Sequence, residues 1–194
     1  LARRIDEATL AQTLGAFIRK AETALLQQGA WTQKYIGDAV MAVWLHQKCA
    51  PEQVELLAVL QSLATLADIA GELQSQFALD APVRIGAGIN TGIASIGNVG
   101  SDAFADHTAL GDVVNKAFRL ESATKQIHCD VALGQRTYDY LAQTDGAAPL
   151  FEPHTVMLKG YQDPAPLFAL SFAALNKLLA LLRSPSAGWA SLDP

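Results

Sequence analysis

Apolar residues recur at helical spacing through Leu10, Leu14, Phe17, Ile18, Ala21, Leu25 and Leu26, which predicts an amphipathic first helix ended by a glycine cap at Gln27-Gln28-Gly29. Two short segments follow, around Trp31–Lys34 and Ala39–Trp44, with Gly37-Asp38 between them. That spacing predicts a β-hairpin whose turn carries a carboxylate. Pro51 suits a helix first turn, and Val54, Leu57, Leu60, Leu63, Leu66, Ile69 and Leu73 extend an apolar stripe to about Phe77, so a long helix covering a sheet is expected there. Val83–Ile89 and Ile93–Val99 read as strands flanking the turn-prone Asn90-Thr91-Gly92, a second predicted hairpin, with Asn98–Ser101 closing into a loop. The remaining pattern predicts a helix over Asp112–Lys125, a strand near Val131, a short helix near Arg136–Leu141, strands near Thr155–Leu158 and Leu167–Ser171, and an apolar helix over Phe172–Leu182. Helices and strands alternate, but two hairpins forbid a purely parallel sheet, so the expectation is an antiparallel-rich α/β sandwich.

Composition narrows the class. With 194 residues, 51% hydrophobic and 17% charged, the chain is long and apolar enough to bury one sizeable core, and wholesale disorder is excluded. We expect one domain over residues 1–172, then a C-terminal helix and a Ser/Pro/Ala-rich tail over 173–194. The net charge of -5 carries no basic field and no basic patch stands out, so nucleic acid is not an expected partner. Cys49 and Cys129 match no CxxC or Cys/His metal spacing, which suits buried thiols in a reducing compartment. The longest apolar stretches are interrupted by polar or charged residues before the ~18 positions of a spanning helix. A soluble, cytoplasmic domain is the expectation, and the opening Leu1 in place of Met reads as a piece of something longer.

Four stretches carry the chemistry: Lys34-Tyr-Ile-Gly-Asp-Ala-Val-Met-Ala-Val-Trp44; Arg84-Ile-Gly-Ala-Gly-Ile-Asn-Thr-Gly92 with Gly97-Asn-Val-Gly-Ser101; Thr108-Ala-Leu-Gly-Asp-Val-Val-Asn115 with Arg119-Leu-Glu121; and Leu158-Lys-Gly160. In this order and at these intervals, across roughly residues 5 to 172, they resemble the catalytic domain of class III adenylate and guanylate cyclases. The resemblance implies a ferredoxin-like, antiparallel-rich sheet with helices packed on it. It also implies an enzyme that makes cyclic AMP and pyrophosphate from ATP as the ribose 3′-hydroxyl attacks the α-phosphate, with two divalent ions, Mg²⁺ or Mn²⁺. A homodimer with composite sites, and regulatory domains elsewhere in the full-length protein, follow from the same resemblance.

Each implied role fits the residue type. Such a cyclisation needs metal ions to activate the nucleophile and neutralise phosphate charge; Asp38, a carboxylate on a turn, corresponds to the second of two metal aspartates. Asn115 and Arg119 lie four apart on a predicted helix, hence on one face, and correspond to the pair that stabilises the transition state. Lys159 is a point charge for the triphosphate. Lys34 and Thr108 correspond to the purine-reading pair: an ammonium donates to adenine N1, and a hydroxyl accepts from the adenine amino group. Guanine reverses both demands, so ATP is the expected substrate. Taken singly, the same residues also read as a turn-forming Asp, a solvated helix face and surface lysines.

Two departures stand out. The first metal aspartate of the family lies in a Phe-x-Asp-Ile-x-Gly-Phe-Thr-like segment that Leu1–Asp6 does not match, and the spacing of Asp6 to the helix makes it a poor substitute. In Ser101–His107 the arginine that relatives often carry is absent, Ala103-Phe104-Ala105 standing there. These departures keep a second class open, a cyclase-like regulatory or dimerisation module that binds nucleotide without turning it over. A diguanylate cyclase is disfavoured, because Ile36-Gly37-Asp38-Ala39 is not Gly-Gly-Asp/Glu-Glu-Phe. Gly86–Gly92 spaces its glycines as GxGxxxG ahead of a predicted strand, not the dinucleotide-binding pattern. The four scattered histidines read as packing or surface residues, and Trp31 and Trp44 as core.

Overall fold

Asp6 opens the first helix, α1 (Glu7–Gln27), by accepting the Thr9 backbone N–H on its carboxylate at 2.9 Å. This satisfies one orphan donor of the first turn and holds the Asp6 carboxyl below the usual carboxylate range. The computed structural model describes residues 6–46, 50–99 and 106–183. They fall into two units, one within Leu1–Gln47 and Ala58–Ile85, the other within Lys48–Leu57 and Gly86–Pro194.

In the first unit, strands β1 (Thr32–Ile36) and β2 (Ala39–Val43) form the expected hairpin. Ile36 faces Ala39, leaving Gly37-Asp38 as a two-residue loop. Gly37 has φ +64° while Asp38 keeps a negative φ, the demand of a type II′ turn, which a side chain at 37 would strain. Val40, Ala42 and Trp44 alternate onto one face and pack against Phe17, Ala21 and Leu25 of α1 and Leu66, Ile69 and Leu73 of helix α2 (Gln53–Gln76). Leu25 and Leu73 are sealed from solvent, each contributing about 2 kcal/mol by burial. The Trp44 indole N–H donates to the Gln28 carbonyl at 2.9 Å, consistent with a core role. By length and composition α2 does reach the threshold for crossing a membrane, against the expectation that no stretch would. Its apolar stripe is instead partly spent on this core, as a long core helix requires.

The second unit holds a four-stranded sheet in the order β3 (Ala87–Ile89), β6 (Val131–Gly134), β8 (Ala165–Leu170), β7 (Glu152–Val156). The β3–β6 pair is parallel; β6–β8 and β8–β7 are antiparallel. Strands β4 (Ser95–Val99) and β5 (Asp106–Leu110) form a separate antiparallel ribbon. Helices α3 (Asp112–Ile127), α4 (Gln135–Leu141) and α5 (Phe172–Leu182) complete the unit. The sheet is antiparallel-rich with helices on it, as expected, but its pairing corrects the second hairpin. Asn90-Thr91-Gly92 does not close β3 onto β4. Asn90 donates from Nδ2 to the Val113 carbonyl at 3.0 Å, and the Thr91 hydroxyl lies 3.0 Å from that of Thr137, so this exit is fastened to α3 and α4. Strand β3 pairs instead with β6, whose four residues are all buried, as a strand flanked on both sides and covered on both faces must be. The predicted strand over Val83–Ile89 shortens to its last three residues, and the strand expected at Thr155–Leu158 shifts to Glu152–Val156.

Gly88 explains how α3 reaches β3. A Cβ there would overlap the Ala117 carbonyl oxygen and the Glu121 backbone nitrogen, and one at Gly86 would overlap the Thr124 hydroxyl. Backbone atoms of a helix have nowhere to go, so Gly88→Ala is expected to lower stability by about 3 kcal/mol or more, read as a fall in the denaturant midpoint; an unchanged midpoint would contradict this packing.

Candidate active site

Lys34 and Asp38 belong to the β1–β2 hairpin. Lys34 pairs with Met41. The core-facing set takes the alternate positions Val40 and Ala42, so Lys34 stands on the opposite face, half-buried. Asp38 is exposed on the turn. Next to Lys34, the Tyr35 phenol is pushed above its usual range by burial and then by the Glu22 carboxylate.

Thr108, Asn115, Arg119 and Lys159 belong to the second unit, and the fold gathers them around the N-terminal half of α3. Thr108 is buried on β5, its hydroxyl meeting, among the described residues, the Ala109 carbonyl at 3.4 Å, a long and weak contact. Three residues on, Gly111 at φ +138° caps α3, a backbone angle that favours glycine. Asp112, Asn115 and Arg119 then fall at i, i+3 and i+7, one stripe of the helix. Leu120 and Thr124, both buried, and Ala117, whose carbonyl abuts Gly88, occupy the side turned to the sheet. Asn115 is exposed and Arg119 half-buried.

Lys159, just past the strand expected at Thr155–Leu158, stands on a tight turn beyond β7. The Tyr161 N–H donates to the Leu158 carbonyl at 3.0 Å, and Gly160 takes φ +91°, which places Lys159 at the first corner of a type II turn. Leu158 is buried and packs with Leu120 and Ala123 of α3, and Tyr161 leans on the same cluster. The Tyr161 hydroxyl donates to Asp112 Oδ1 at 2.6 Å. Neither Tyr161 nor Asp112 was singled out from the sequence; the two are 49 positions apart and no periodicity links them. Only their adjacency to Lys159-Gly160 and to Gly111 within the motifs could have drawn attention to them.

Asp38 fits one ligand position of a hard divalent ion, which is commonly held by one or two carboxylates together with substrate phosphates and water. Among the described residues no group of three His, Cys, Asp or Glu side chains is placed to hold a metal. Asp6 is committed to capping α1. Cys129 is half-buried, less than the expected full burial, and its thiol is pushed up by burial and then by the Glu152 and Asp130 carboxylates, the reverse of a nucleophile's environment. Cys49 and Ala103-Phe104-Ala105 lie outside the described residues.

The family described as adenylate and guanylate cyclase catalytic domain matches residues 3–169. An adenylate cyclase of Anabaena cylindrica is 28% identical over 147 residues, 75% of this chain but 29% of that protein, so the chain spans less than a third of this relative's length. The adenylyl cyclase CyaB from P. aeruginosa superposes with a TM-score of 0.68 at 23% identity, covering 87% of this chain and 85% of that one. The guanylyl cyclase Cya2 gives 0.66 at 20% identity, covering 87% and 83%. These structural likenesses establish a shared fold.

The weak contact of the Thr108 hydroxyl yields a test of whether it serves folding. Thr108→Val keeps the shape and removes the hydroxyl, and is expected to cost less than about 1 kcal/mol of stability; a loss of several kcal/mol in a chemical melt would mark the hydroxyl as structural.

Proposed function

The chain belongs to the adenylate and guanylate cyclase catalytic domain family, and from that premise we propose that it converts ATP to 3′,5′-cyclic AMP and pyrophosphate in a homodimer. The observation that carries this reading is the arrangement of the second unit: Thr108 on the strand leading into α3, Asn115 and Arg119 along one stripe of that helix, and Lys159 on a turn fastened to its first residue. Thr108 would accept from the adenine amino group and Lys34 donate to N1. Asn115 would orient the ribose, Arg119 meet the charge that builds on the α-phosphate, and Lys159 hold the polyphosphate. Divalent ions held by Asp38 would supply activation of the 3′-hydroxyl and neutralisation of phosphate charge.

The ribbon β4–β5 and its approach expose Ile93 (90%), Ile96 (42%) and Leu110 (49%). Apolar side chains left in water on a short ribbon support a subunit interface there, in keeping with composite sites. The competing reading, a nucleotide-binding module without turnover, draws on one observation: the carboxylate of Asp6 is engaged as the cap of α1.

The deciding assay measures cyclic nucleotide formed from ATP and from GTP, each with Mg²⁺ and Mn²⁺, over a range of protein concentrations. Cyclic AMP with specific activity rising with concentration is expected; ATP binding without product in any condition would favour the module. In the active protein, Arg119→Ala should lower kcat by about 10²–10³-fold, and a kcat within threefold of the parent would remove Arg119 from the transition state. Lys34→Glu with Thr108→Cys should erode an ATP preference that such sites can hold at up to ~10⁴-fold, measured as the ratio of kcat/KM for the two nucleotides. Unchanged selectivity would overturn the base-reading assignment.

A further inference from the structure

The turn that presents Lys159 is held more firmly than a surface lysine requires. On one side Leu158 is 2% exposed and packs with Leu120 and Ala123 of α3. On the other, Tyr161 rests against the same cluster and donates its hydroxyl to Asp112 at 2.6 Å, the length of a charge-assisted O–H···O⁻ bond. The phenol is accordingly pushed above its ordinary range by the Asp112 hydrogen bond, then by burial and the Asp112 charge, while the Arg119 guanidinium opposes part of that rise. Tyr161 therefore lies within electrostatic reach of Arg119. Asp112, at the head of the stripe that carries Asn115 and Arg119, is the anchor.

We propose that Tyr161 is the positioning residue for Lys159: its hydrogen bond to Asp112 clamps the Leu158–Tyr161 turn to the first residue of α3, so that the lysine projects from a fixed corner toward the polyphosphate bound along the Asn115–Arg119 stripe. The inference rests on the assignment of Lys159 to polyphosphate made above, and extends it to two residues that the nucleotide need not touch. The physical reason is preorganisation. A lysine side chain has four rotatable bonds, and if its backbone also swung freely the ordering cost would fall on every binding event; clamping the backbone in advance removes that part. Because Lys159 would grip the polyphosphate in ground state and transition state alike, loosening the clamp weakens ATP binding and leaves turnover nearly intact.

The test is a double-mutant cycle on the full chain, reading the ATP dissociation constant by calorimetry together with kcat and KM for cyclic AMP formation. Tyr161→Phe keeps the ring in its cluster, and a thermal melt checks that it folds as the parent does. It is expected to weaken ATP binding about tenfold with kcat within about twofold, and to weaken it less than twofold when Lys159 is already Ala. Asp112→Asn, which keeps an acceptor oxygen but loses the charge, should give a smaller loss. Equal weakening with and without Lys159, or no weakening at all, overturns the clamp. A parent that binds ATP with the expected coupling yet forms no cyclic AMP would sink the catalytic reading and leave the clamp standing; an active parent with additive effects would do the opposite.

Discussion

Everything in the second unit depends on how closely helix α3 can lie on strand β3. The backbone of α3 around Ala117 and Glu121 occupies the space where a side chain at 88 would be, and Thr124 fills the corresponding space at 86. Two glycines, Gly88 in β3 and Gly86 just before it, thus set the height of the helix above the sheet. With that side of α3 pressed to the strand, its opposite stripe is Asp112, Asn115 and Arg119, turned outward at a fixed height. The same approach lets Asn90 tie the end of β3 to Val113, so the chain leaving the strand is diverted into the β4–β5 ribbon instead of folding back as a hairpin.

The first unit solves a simpler problem. One amphipathic helix and one long apolar helix bury a two-stranded hairpin between local partners, and a glycine at φ +64° lets the strands turn in two residues. The consequence for chemistry is that Asp38 sits on a two-residue loop and Lys34 on the strand face turned from the core. Neither position depends on long-range pairing, because β1 and β2 are neighbours in sequence.

Lys159 shows the contrary case. Its turn is local, closed by one hydrogen bond and a glycine at φ +91°, but where the turn points is decided by contacts with α3, far earlier in the chain: a buried leucine on one side and a tyrosine-to-aspartate hydrogen bond on the other. Charge is what makes that second contact directional, since an ionised acceptor shortens and aligns the O–H bond it receives.

The sequence by itself determined the elements whose side chains report on near neighbours. The apolar stripes of α1, α2 and α5, the Gly37-Asp38 hairpin and the helix carrying Asn115 and Arg119 were all legible, since periods of 3.6 and 2 are local properties, and the four motifs named the candidate residues in order. Only the tertiary structure decided that β3 pairs with β6 and not with β4, that β5 exists as a strand carrying Thr108, that Lys159 stands on a turn, and that Asp6 caps a helix. Strand partners are chosen by which edges remain after the helices have packed, and a hydrogen bond such as that between Tyr161 and Asp112 joins residues with no pattern between them. Pairing β3 with β6 and Tyr161 with Asp112 means closing loops of forty or more residues, a constraint that no short window of sequence contains.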